Sequence, residues 1–337
     1  MQFGELNNLI LFGGGQRLVN FLSVAKDFSA IVFSSPRFLQ APLDDEPCTV
    51  EEYFKKEGIA YLNITRIADV DIHAYVNNKT LGISFGAPWI FKQDFLDVFE
   101  GRIINGHGTR LPKNRGGASF SWQIMRQDRT GCHLFHLIDG GIDTGDIVAM
   151  RPYEFPMDCR TPKAYKDYHQ QTELAFFEDV VLKLKQNFDF PLQKQDETVS
   201  TYYPRLSTER HGWIDWSWCA QDIERFICAF DEPFMGASTW LDGQRVFLKS
   251  VRVDLSEGAF HPFMSGLVYR VTPERIFVAA NDASLTVESL TNGQGEDWKR
   301  HAKIGSRFVT SATMLDEARA FRAIYTPVGL KEAPHES

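Results

Sequence analysis

Basic residues are in the minority in this 337-residue sequence, which argues against several classes of protein. Lys and Arg number 36 against 44 Asp and Glu, for a formal net charge of −8. Proteins that grip a polynucleotide through its phosphates usually carry a basic face, so no nucleic-acid partner is expected. The sequence also lacks an apolar run long enough to span a bilayer and a recognisable signal peptide, so a cytoplasmic protein is expected.

Cysteine is scarce as well. The five cysteines are scattered and include no Cys-x-x-Cys pair, which predicts free thiols in a reducing compartment. The glycine-rich stretch FGGGQR, residues 12–17, is neither a G-x-G-x-x-G nor a Walker motif. Because it joins a strand to a helix, its backbone N–H groups could hold a phosphate, but a plain tight turn explains it equally well.

Strand-like apolar runs alternate with amphipathic helices as far as residue 200. The long helix expected near residue 165 opens on Thr161-Pro162. This alternation is typical of an α/β layer structure with a mainly parallel sheet. Short strands and turns such as Asp242-Gly243 follow and predict a β-rich barrel. We therefore expect a catalytic α/β domain over residues 1–200, a β-rich domain over 201–330, and a frayed tail from Pro327.

Asn105 and His107 stand two residues apart at the end of an apolar strand. Side chains at i and i+2 of a strand project from one face, and ligands bind at the carboxyl ends of strands in open α/β sheets. The later stretch HLIDGGIDTGDIV (136–148) is either a turn between strands or the source of a carboxylate that orients His107. A metal held by His107, His133, His136 and these aspartates is a weaker alternative, because His133 and His136 should face opposite sides of a strand.

Two stretches together, NGHGTRLPKNRGGASFSWQI and HLIDGGIDTGDIV, resemble the N10-formyltetrahydrofolate-dependent formyltransferase family. The family pattern is Asn-x-His, a Leu-Pro-x-x-Arg-Gly loop and a later Asp-Thr-Gly. A third stretch, GWIDWSWCAQDIERFICAFDEPFMGAST, is similar to the opening of the family's C-terminal domain, so the resemblance covers nearly the whole chain. It implies an α/β, Rossmann-like catalytic domain followed by a smaller OB-like barrel.

The resemblance also implies a set of site residues and no metal, because the formyl group is already activated. The family's catalytic Asn, His and Asp match Asn105, His107 and Asp143. The positions that would bind the cofactor, N10-formyltetrahydrofolate, are Phe85, Gly86, Pro88, Trp89, Ile90, Phe91, Ile138, Asp139, Gly140 and Gly141. Candidates for acceptor contacts are Gly13, Gly14, Arg17, Thr109, Arg115 and Gly116. Arg115 would either contact a pyrophosphate or shape its own loop.

Three branches of the family and one outsider compete for the acceptor. A nucleotide-sugar N-formyltransferase would formylate an amino-deoxy hexose for surface polysaccharide such as O-antigen of lipopolysaccharide. Methionyl-tRNA formyltransferase would formylate an aminoacyl-tRNA, and a formyltetrahydrofolate hydrolase would use water. The hydrolase carries a regulatory domain before its catalytic one, whereas this sequence opens on a strand. A non-catalytic nucleotide-binding module would leave the three intact catalytic positions unexplained.

Charge favours the sugar branch over the tRNA enzyme. The tRNA enzyme has a basic loop after its second strand, but residues 34–54 here hold one Arg against several acids. Residues 201–337 hold fifteen Lys and Arg against eighteen Asp and Glu, where a tRNA-holding domain is usually basic. The segment GTRLPKNRGGASF also differs from the residues that surround the catalytic histidine in the tRNA enzyme.

The sugar branch carries two further expectations for the second domain. Related sugar enzymes are often homodimers through this domain, so the resemblance implies a homodimer. Trp213, Trp216 and Trp218 would stack on a nucleotide base or, as is more common for such residues, pack between the domains.

Overall fold

The larger sheet is mainly parallel, as predicted. The computed structural model describes residues 1–327 and the backbone of 329–331. The strands of the first 160 residues are β1 (Asn8–Gly13), β2 (Ser29–Ser34), β3 (Ala60–Asn63), β4 (Thr80–Phe85), β5 (Ile103–His107), β6 (Arg115–Gly116), β7 (Thr130–Leu137) and β8 (Ile147–Glu154). All but β6 form one sheet in the order β3-β2-β1-β4-β5-β7-β8. The first five strands run parallel, and β7 and β8 are antiparallel to their neighbours.

The strand order of this sheet positions the site. Strand β1 lies between β2 and β4, so the chain passes to one side of β1 and then crosses to the other. In open α/β sheets, ligands bind at the carboxyl ends of strands beside such a reversal. Strand β1 ends at Gly13, β4 at Phe85 and β5 at His107. The carboxyl ends of these three parallel strands therefore lie along one edge of the sheet.

Helices cover the faces of the sheet and support the second domain. They are α1 (Gln16–Val24), α2 (Pro36–Leu39), α3 (Val50–Glu57), α4 (Gln93–Asp97), α5 (Ser119–Arg126), α6 (Pro162–Lys185), α7 (Thr208–His211), α8 (Ala220–Ala229) and α9 (Ala312–Ala320). The Thr161 side chain accepts a hydrogen bond from the N–H of Ala164, and Pro162 is the first residue of α6. Both are favourable at a helix start, which explains why this boundary could be predicted.

Helix α6 packs on the sheet through aromatic side chains. The fully buried Phe177 contacts the rings of Phe21 on α1, Phe85 on β4 and Phe135 on β7, at centroid distances of 5.3, 5.7 and 5.8 Å. Burial of each such ring contributes about 2 kcal/mol. The core therefore ties α6 firmly to the strands that carry the site.

The second sheet is antiparallel and closes on itself. Its strands are β10 (Ala237–Leu241), β11 (Gln244–Asp254), β12 (Val268–Val271), β13 (Ile276–Ala279), β14 (Ser284–Asn292) and β15 (Phe308–Val309), in the order β12-β13-β14-β11-β10-β15. The edges β12 and β15 meet where the N–H of Val268 donates to Ser306 O and that of Phe308 donates to Gly266 O, both at 2.9 Å. The predicted Asp242-Gly243 turn joins β10 to β11, with both residues at positive φ. This sheet is the predicted β-rich domain.

The linker and the tail add two small pairings. Strand β9 (Tyr202–Tyr203) pairs with β6, and β16 (Ile324–Thr326) pairs with β17 (Gly329–Lys331). The expectation of a frayed tail is wrong for residues 329–331, because backbone hydrogen bonds order them against β16. Residues 328 and 332–337 lie outside the described residues.

None of the helices in the described part combines the length and hydrophobicity of a membrane span.

Candidate active site

Strand β5 presents Asn105 and His107 from one face at the predicted edge of the sheet. In the parallel pairing with β4, Asn105 lies beside Ser84, and in the antiparallel pairing with β7 it lies beside His136. The intervening Gly106 is packed against the rings of Phe85 and Phe135, where a Cβ would meet atoms at 2.9 and 3.2 Å. The strand therefore holds its two polar side chains toward the cavity while its other face remains in the core.

His107 is buried and its neutral tautomer follows from its partners. Its Nε2 lies 3.0 Å from the carbonyl oxygen of Asn114 and 2.8 Å from the hydroxyl of Thr109. Because that hydroxyl donates to the same carbonyl at 3.1 Å, Nε2 must carry the proton of the neutral ring. Its Nδ1 then has a free lone pair, 3.9 Å from Oδ1 of Asp143. Burial lowers the pKa of His107 below 6.5, although the charge of Asp143 opposes the shift.

Asp143 is an ionised carboxylate that accepts one backbone hydrogen bond and lies beside two histidines. The backbone N–H of Gly116 donates to its Oδ2 at 3.0 Å, and its Oδ1 lies 3.6 Å from Nε2 of His136. Burial alone would raise the pKa of Asp143, but His136, His107 and this N–H together hold it well below its usual range. Its backbone is left-handed, with φ of 55°. Asp tolerates this conformation better than most residues, which suits an Asp/Gly-rich loop.

His136 is a site residue that the sequence suggested only as a metal ligand. Its Nδ1 lies 2.8 Å from the carbonyl oxygen of Leu137, so Nδ1 is protonated in the neutral ring. The Asn105 amide then donates to Nε2 of His136 at 3.1 Å. His136 thereby fixes the orientation of the Asn105 side chain. The only sequence signal for this role is the pairing of β5 with β7, which needs the register of distant segments.

An open cavity of about 1200 Å³ lies at this edge of the sheet. The catalytic candidates Asn105, His107 and Asp143 all line it. So do all ten predicted folate positions: Phe85, Gly86, Pro88, Trp89, Ile90, Phe91, Ile138, Asp139, Gly140 and Gly141. Ile90 presents an apolar side chain to this cavity and is 84% exposed. All thirteen positions that the resemblance assigned to catalysis and to folate binding therefore line one cavity.

The six acceptor candidates divide into two groups. Gly14, Arg17 and Gly116 line the cavity. Gly13, Thr109 and Arg115 are not among the cavity-lining residues of the described chain. Gly13 is needed because it has φ of 117° and a Cβ there would lie 2.3 Å from the carbonyl oxygen of Phe85.

Thr109 and Arg115 support the loop after β5. Thr109 holds His107, as described above. Arg115 is buried, and its guanidinium donates to Glu197 at 2.6 and 2.8 Å and to Gln195 at 2.8 and 3.2 Å. Of the two roles open to Arg115, the geometry favours shaping the loop over contacting a pyrophosphate. Gln195 in turn donates to the carbonyl oxygens of Asp143 and Gly145, at 2.9 and 2.7 Å.

Arg17 belongs to a buried polar network beside the cavity. Its Nε donates to both carboxylate oxygens of Glu173 at 3.0 Å, and its Nη1 donates to the carbonyl of Gly106 at 3.3 Å. Glu173 has no solvent exposure, and His169 lies 3.2 Å from it. Although burial opposes ionisation, Arg17 and His169 lower the pKa of Glu173 to about 2. Arg17 thus connects α1, α6 and the backbone between Asn105 and His107.

The residues of the metal alternative converge only in part. His107, His136 and Asp143 have ligand atoms within 4.8 Å of one another, but His133 lies in a second cluster with His169 and Glu173. His133 and His136 face opposite sides of β7, as the strand periodicity predicted.

The three tryptophans pack within the second domain. Trp213 stacks on Trp240, Trp216 on Phe308, and Trp218 meets Phe226 edge-on, at centroid distances of 6.1, 5.5 and 5.2 Å. The expectation that these tryptophans pack between the domains is wrong for these ring contacts, because all three partner rings belong to the second domain.

Comparison with known proteins agrees with this geometry. Residues 207–301 match the family model "Formyl transferase, C-terminal domain". The methionyl-tRNA formyltransferase of Geotalea uraniireducens is 30% identical over 279 residues, which are 81% of this chain and 85% of that protein. The chain belongs to the formyltransferase family. The resemblance carried by the Asn-x-His and Asp-Thr-Gly stretches is thereby confirmed.

Solved formyltransferases share the fold of this family member. A sugar 3N-formyltransferase solved with dTDP and 5-N-formyl-tetrahydrofolate superposes with a TM-score of 0.63 at 17% identity, covering 85% of this chain and 98% of that one. The N-formyltransferase of Helicobacter canadensis, in complex with folinic acid and dTDP-3-aminofucose, gives 0.62 at 15% identity, with 84% and 99% covered. At these identities the likeness establishes the common architecture of the formyltransferases.

Proposed function

We propose that this formyltransferase moves the formyl group of N10-formyltetrahydrofolate to the amine of a nucleotide-linked amino-deoxy sugar. The amine nitrogen attacks the formyl carbon, the bond from that carbon to N10 breaks, and tetrahydrofolate leaves with a proton on N10. The amine loses one proton, and the product is a formamide. The single observation that carries the proposal is the convergence of Asn105, His107 and Asp143 on one cavity together with every predicted folate position.

Asn105 suits the stabilisation of the oxyanion that forms as the amine attacks. Its side-chain amide has two N–H donors, and one of them is committed to Nε2 of His136. The second donor is available to the cavity. A donor fixed before the reaction stabilises developing negative charge without any cost of reorganisation, which is why such groups are effective in acyl transfer.

His107 suits the removal of the amine's proton. Its pKa is lowered, so the ring is neutral near pH 7 and Nδ1 can accept a proton. The imidazolium formed would face the carboxylate of Asp143 across 3.9 Å, and this charge favours the protonated form. The pair can then return the proton to N10 of the leaving tetrahydrofolate.

The loop after β2 supports a small acceptor rather than a tRNA. It carries Asp44, Asp45 and Glu46. Asp44 is tied to α6 through Lys166 at 2.7 Å, and its N–H donates to Gln16 at 3.2 Å. The acidic stretch from Asp44 to Glu46 is tied down beside the cavity and lacks the positive charge needed to enter the phosphate-rich acceptor stem of a tRNA.

Methionyl-tRNA is the second candidate acceptor, because the curated relatives are methionyl-tRNA formyltransferases at 25–30% identity. The sugar acceptor is supported by the charge of the loop and the second domain, and by the ligands named for the two structural neighbours. The domain bounds 1–200 and 201–330, the site roles and the homodimer remain predictions.

Product analysis tests the proposed reaction. The protein is incubated with N10-formyltetrahydrofolate and a panel of dTDP-, UDP- and GDP-linked 3-amino and 4-amino dideoxyhexoses. Mass spectrometry of the sugar nucleotides should reveal a formamide on at least one of them, and the His107→Asn variant serves as the matched control. Formation of no formamide on any member, with tetrahydrofolate released on methionyl-tRNA instead, would contradict the sugar assignment.

A further inference from the structure

Two arginines that the proposed function does not use, Arg37 and Arg205, stand together beside the cavity, and Arg205 lines it. The guanidinium carbons of Arg37 and Arg205 each lie 5.8 Å from the ring centroid of Tyr325. Arg37 also lies 5.0 Å from the ring of Phe38. Arg205, Tyr325 and Phe38 line the same cavity as Asn105 and His107. Residues from the start of α2, the linker and the segment after α9 therefore meet at one place.

Placing two like charges side by side costs free energy, and no carboxylate among the described residues offsets this cost. Among residues 1–327, neither Arg37 nor Arg205 has an acidic partner. Arg37 is half-buried, and its burial together with the charge of Arg205 lowers its pKa. Lys166, a third cation at the cavity, is by contrast neutralised by Asp44. Like charges gathered without a carboxylate are typical of a site that receives an anion.

The loop after β5 fixes the position of Arg205. Strand β6 of that loop pairs with β9 of the linker, and the N–H of Gly117 donates to the carbonyl of Tyr203 at 3.0 Å. The indole N–H of Trp122 donates to the carbonyl of Pro204 at 2.8 Å. Gly117 leaves room for the Arg205 side chain, because a Cβ there would lie 2.4 Å from Arg205 Cγ. Arg205 is thus anchored to the loop after β5, and the N–H of Gly116 in the same loop donates to Asp143.

We propose that Arg37 and Arg205, arranged around Tyr325, bind the diphosphate of the acceptor's nucleoside diphosphate. This inference rests on the proposed function, and it names the part of the chain that recognises the nucleotide. A guanidinium presents a planar pair of donors that matches phosphate oxygens, and two of them suit the two phosphates. The segment after α9 supplies Tyr325, so the second domain contributes directly to acceptor binding.

Calorimetric titration without folate tests this site separately from catalysis. The probes are dTDP, UDP, GDP and inorganic pyrophosphate. Arg205→Ala and Arg37→Ala should each weaken binding of all three nucleotides by about tenfold to a hundredfold, as expected for loss of a charge-assisted hydrogen bond. Arg205→Lys should lose less, because it keeps the charge. Arg270→Ala is the matched control, since Arg270 stacks on Phe277 at 3.9 Å but is paired with Glu257 in the second domain.

The outcomes separate this inference from the proposed function. Affinities of both alanine variants within twofold of the wild type, or an equal loss in Arg270→Ala, would overturn the diphosphate site. Wild-type protein that binds none of the probes at millimolar concentration would also overturn it. If sugars are formylated with unchanged KM in the two variants, the function stands and the diphosphate site fails. If the variants lose nucleotide binding but no sugar is formylated, the diphosphate site stands and the function fails.

Discussion

At the scale of single residues, the proposed chemistry depends on which nitrogen of His107 carries a proton. Asn114 and Thr109 fix one ring nitrogen, and Asp143 faces the other. A residue that accepts a proton in the transition state should matter for turnover far more than for ligand binding. The Asn-His pair could be found from the sequence because its spacing of two is a local property of a strand.

Replacing His107 with Asn should lower kcat by about 10²- to 10⁴-fold, the usual contribution of a general acid or base. Binding of 5-formyl-tetrahydrofolate should remain within a few-fold of the wild type, because His107 acts on the amine. Steady-state kinetics and calorimetry measure the two quantities on one preparation. Turnover within a few-fold of the wild type would show that the site assignment is wrong.

The ring of His107 should titrate below pH 6.5 in the ligand-free protein, since burial disfavours the imidazolium. Asp143 raises this pKa by its charge, so Asp143→Asn should lower it further. NMR of the ring proton across pH 4–8 follows both changes. A pKa of 6.5 or above in the wild type, or an upward shift in Asp143→Asn, would contradict the described electrostatics.

At the scale of elements, the loop after β5 is shaped by contacts that no local pattern encodes. Gly116 has φ of 97°, and a Cβ there would lie 2.1 Å from the carbonyl oxygen of Tyr203. Its N–H holds Asp143. Arg115, by contrast, turns away to Glu197 and Gln195, which are distant in the sequence. The sequence therefore identified the loop but could not assign Arg115 to its supporting role.

Gly116→Ala should reduce kcat by at least about tenfold while the protein stays folded, because a shifted loop loses a hydrogen bond to the charged Asp143. Gly243→Ala is the control, since Gly243 also has a positive φ of 81° but a Cβ there would have no atom within 4 Å. Circular dichroism should show both variants folded. Equal activity of the two variants would mean that the close contact at Gly116 does not position Asp143.

Helix α6 supplies the buried partner of Arg17. Its start and length could be predicted from Thr161-Pro162 and the apolar spacing. The Arg17–Glu173 pair could not, because the two residues are 156 positions apart. Glu173 has a folded-state pKa of about 2, against an ordinary value of 4.5. Its contribution to stability is therefore complete above pH 4.5 and is lost as the pH falls toward 2.

Glu173→Gln should destabilise the protein by about 3 kcal/mol at pH 7, because it leaves Arg17 without its buried partner. Glu178→Gln, at an exposed position of the same helix, should change stability by less than about 0.5 kcal/mol. Urea unfolding at pH 7 and pH 3 measures both. A destabilisation by Glu173→Gln that does not shrink at the lower pH would contradict the ionised state of Glu173.

At the scale of the whole molecule, alternation of strands and helices sufficed to predict the α/β layer structure of the first domain, and the later run of short strands predicted the β-rich second domain. The cavity could be predicted only in part. Its folate wall follows from short contiguous stretches, whereas the rim formed by Arg205 and Tyr325 depends on how the linker and the segment after α9 return to the first sheet. Charge adds a global argument, since neither the loop after β2 nor the second domain is basic.

The most direct test of the central claim compares the two acceptors on one enzyme preparation. Tetrahydrofolate release is followed with the best nucleotide-linked amino sugar and with methionyl-tRNA, and kcat/KM is determined for each. We predict a kcat/KM for the sugar at least about a thousandfold higher, because neither the loop after β2 nor the second domain has the excess of basic residues that usually holds a tRNA. A higher kcat/KM for methionyl-tRNA would contradict the account and place the chain with its curated relatives.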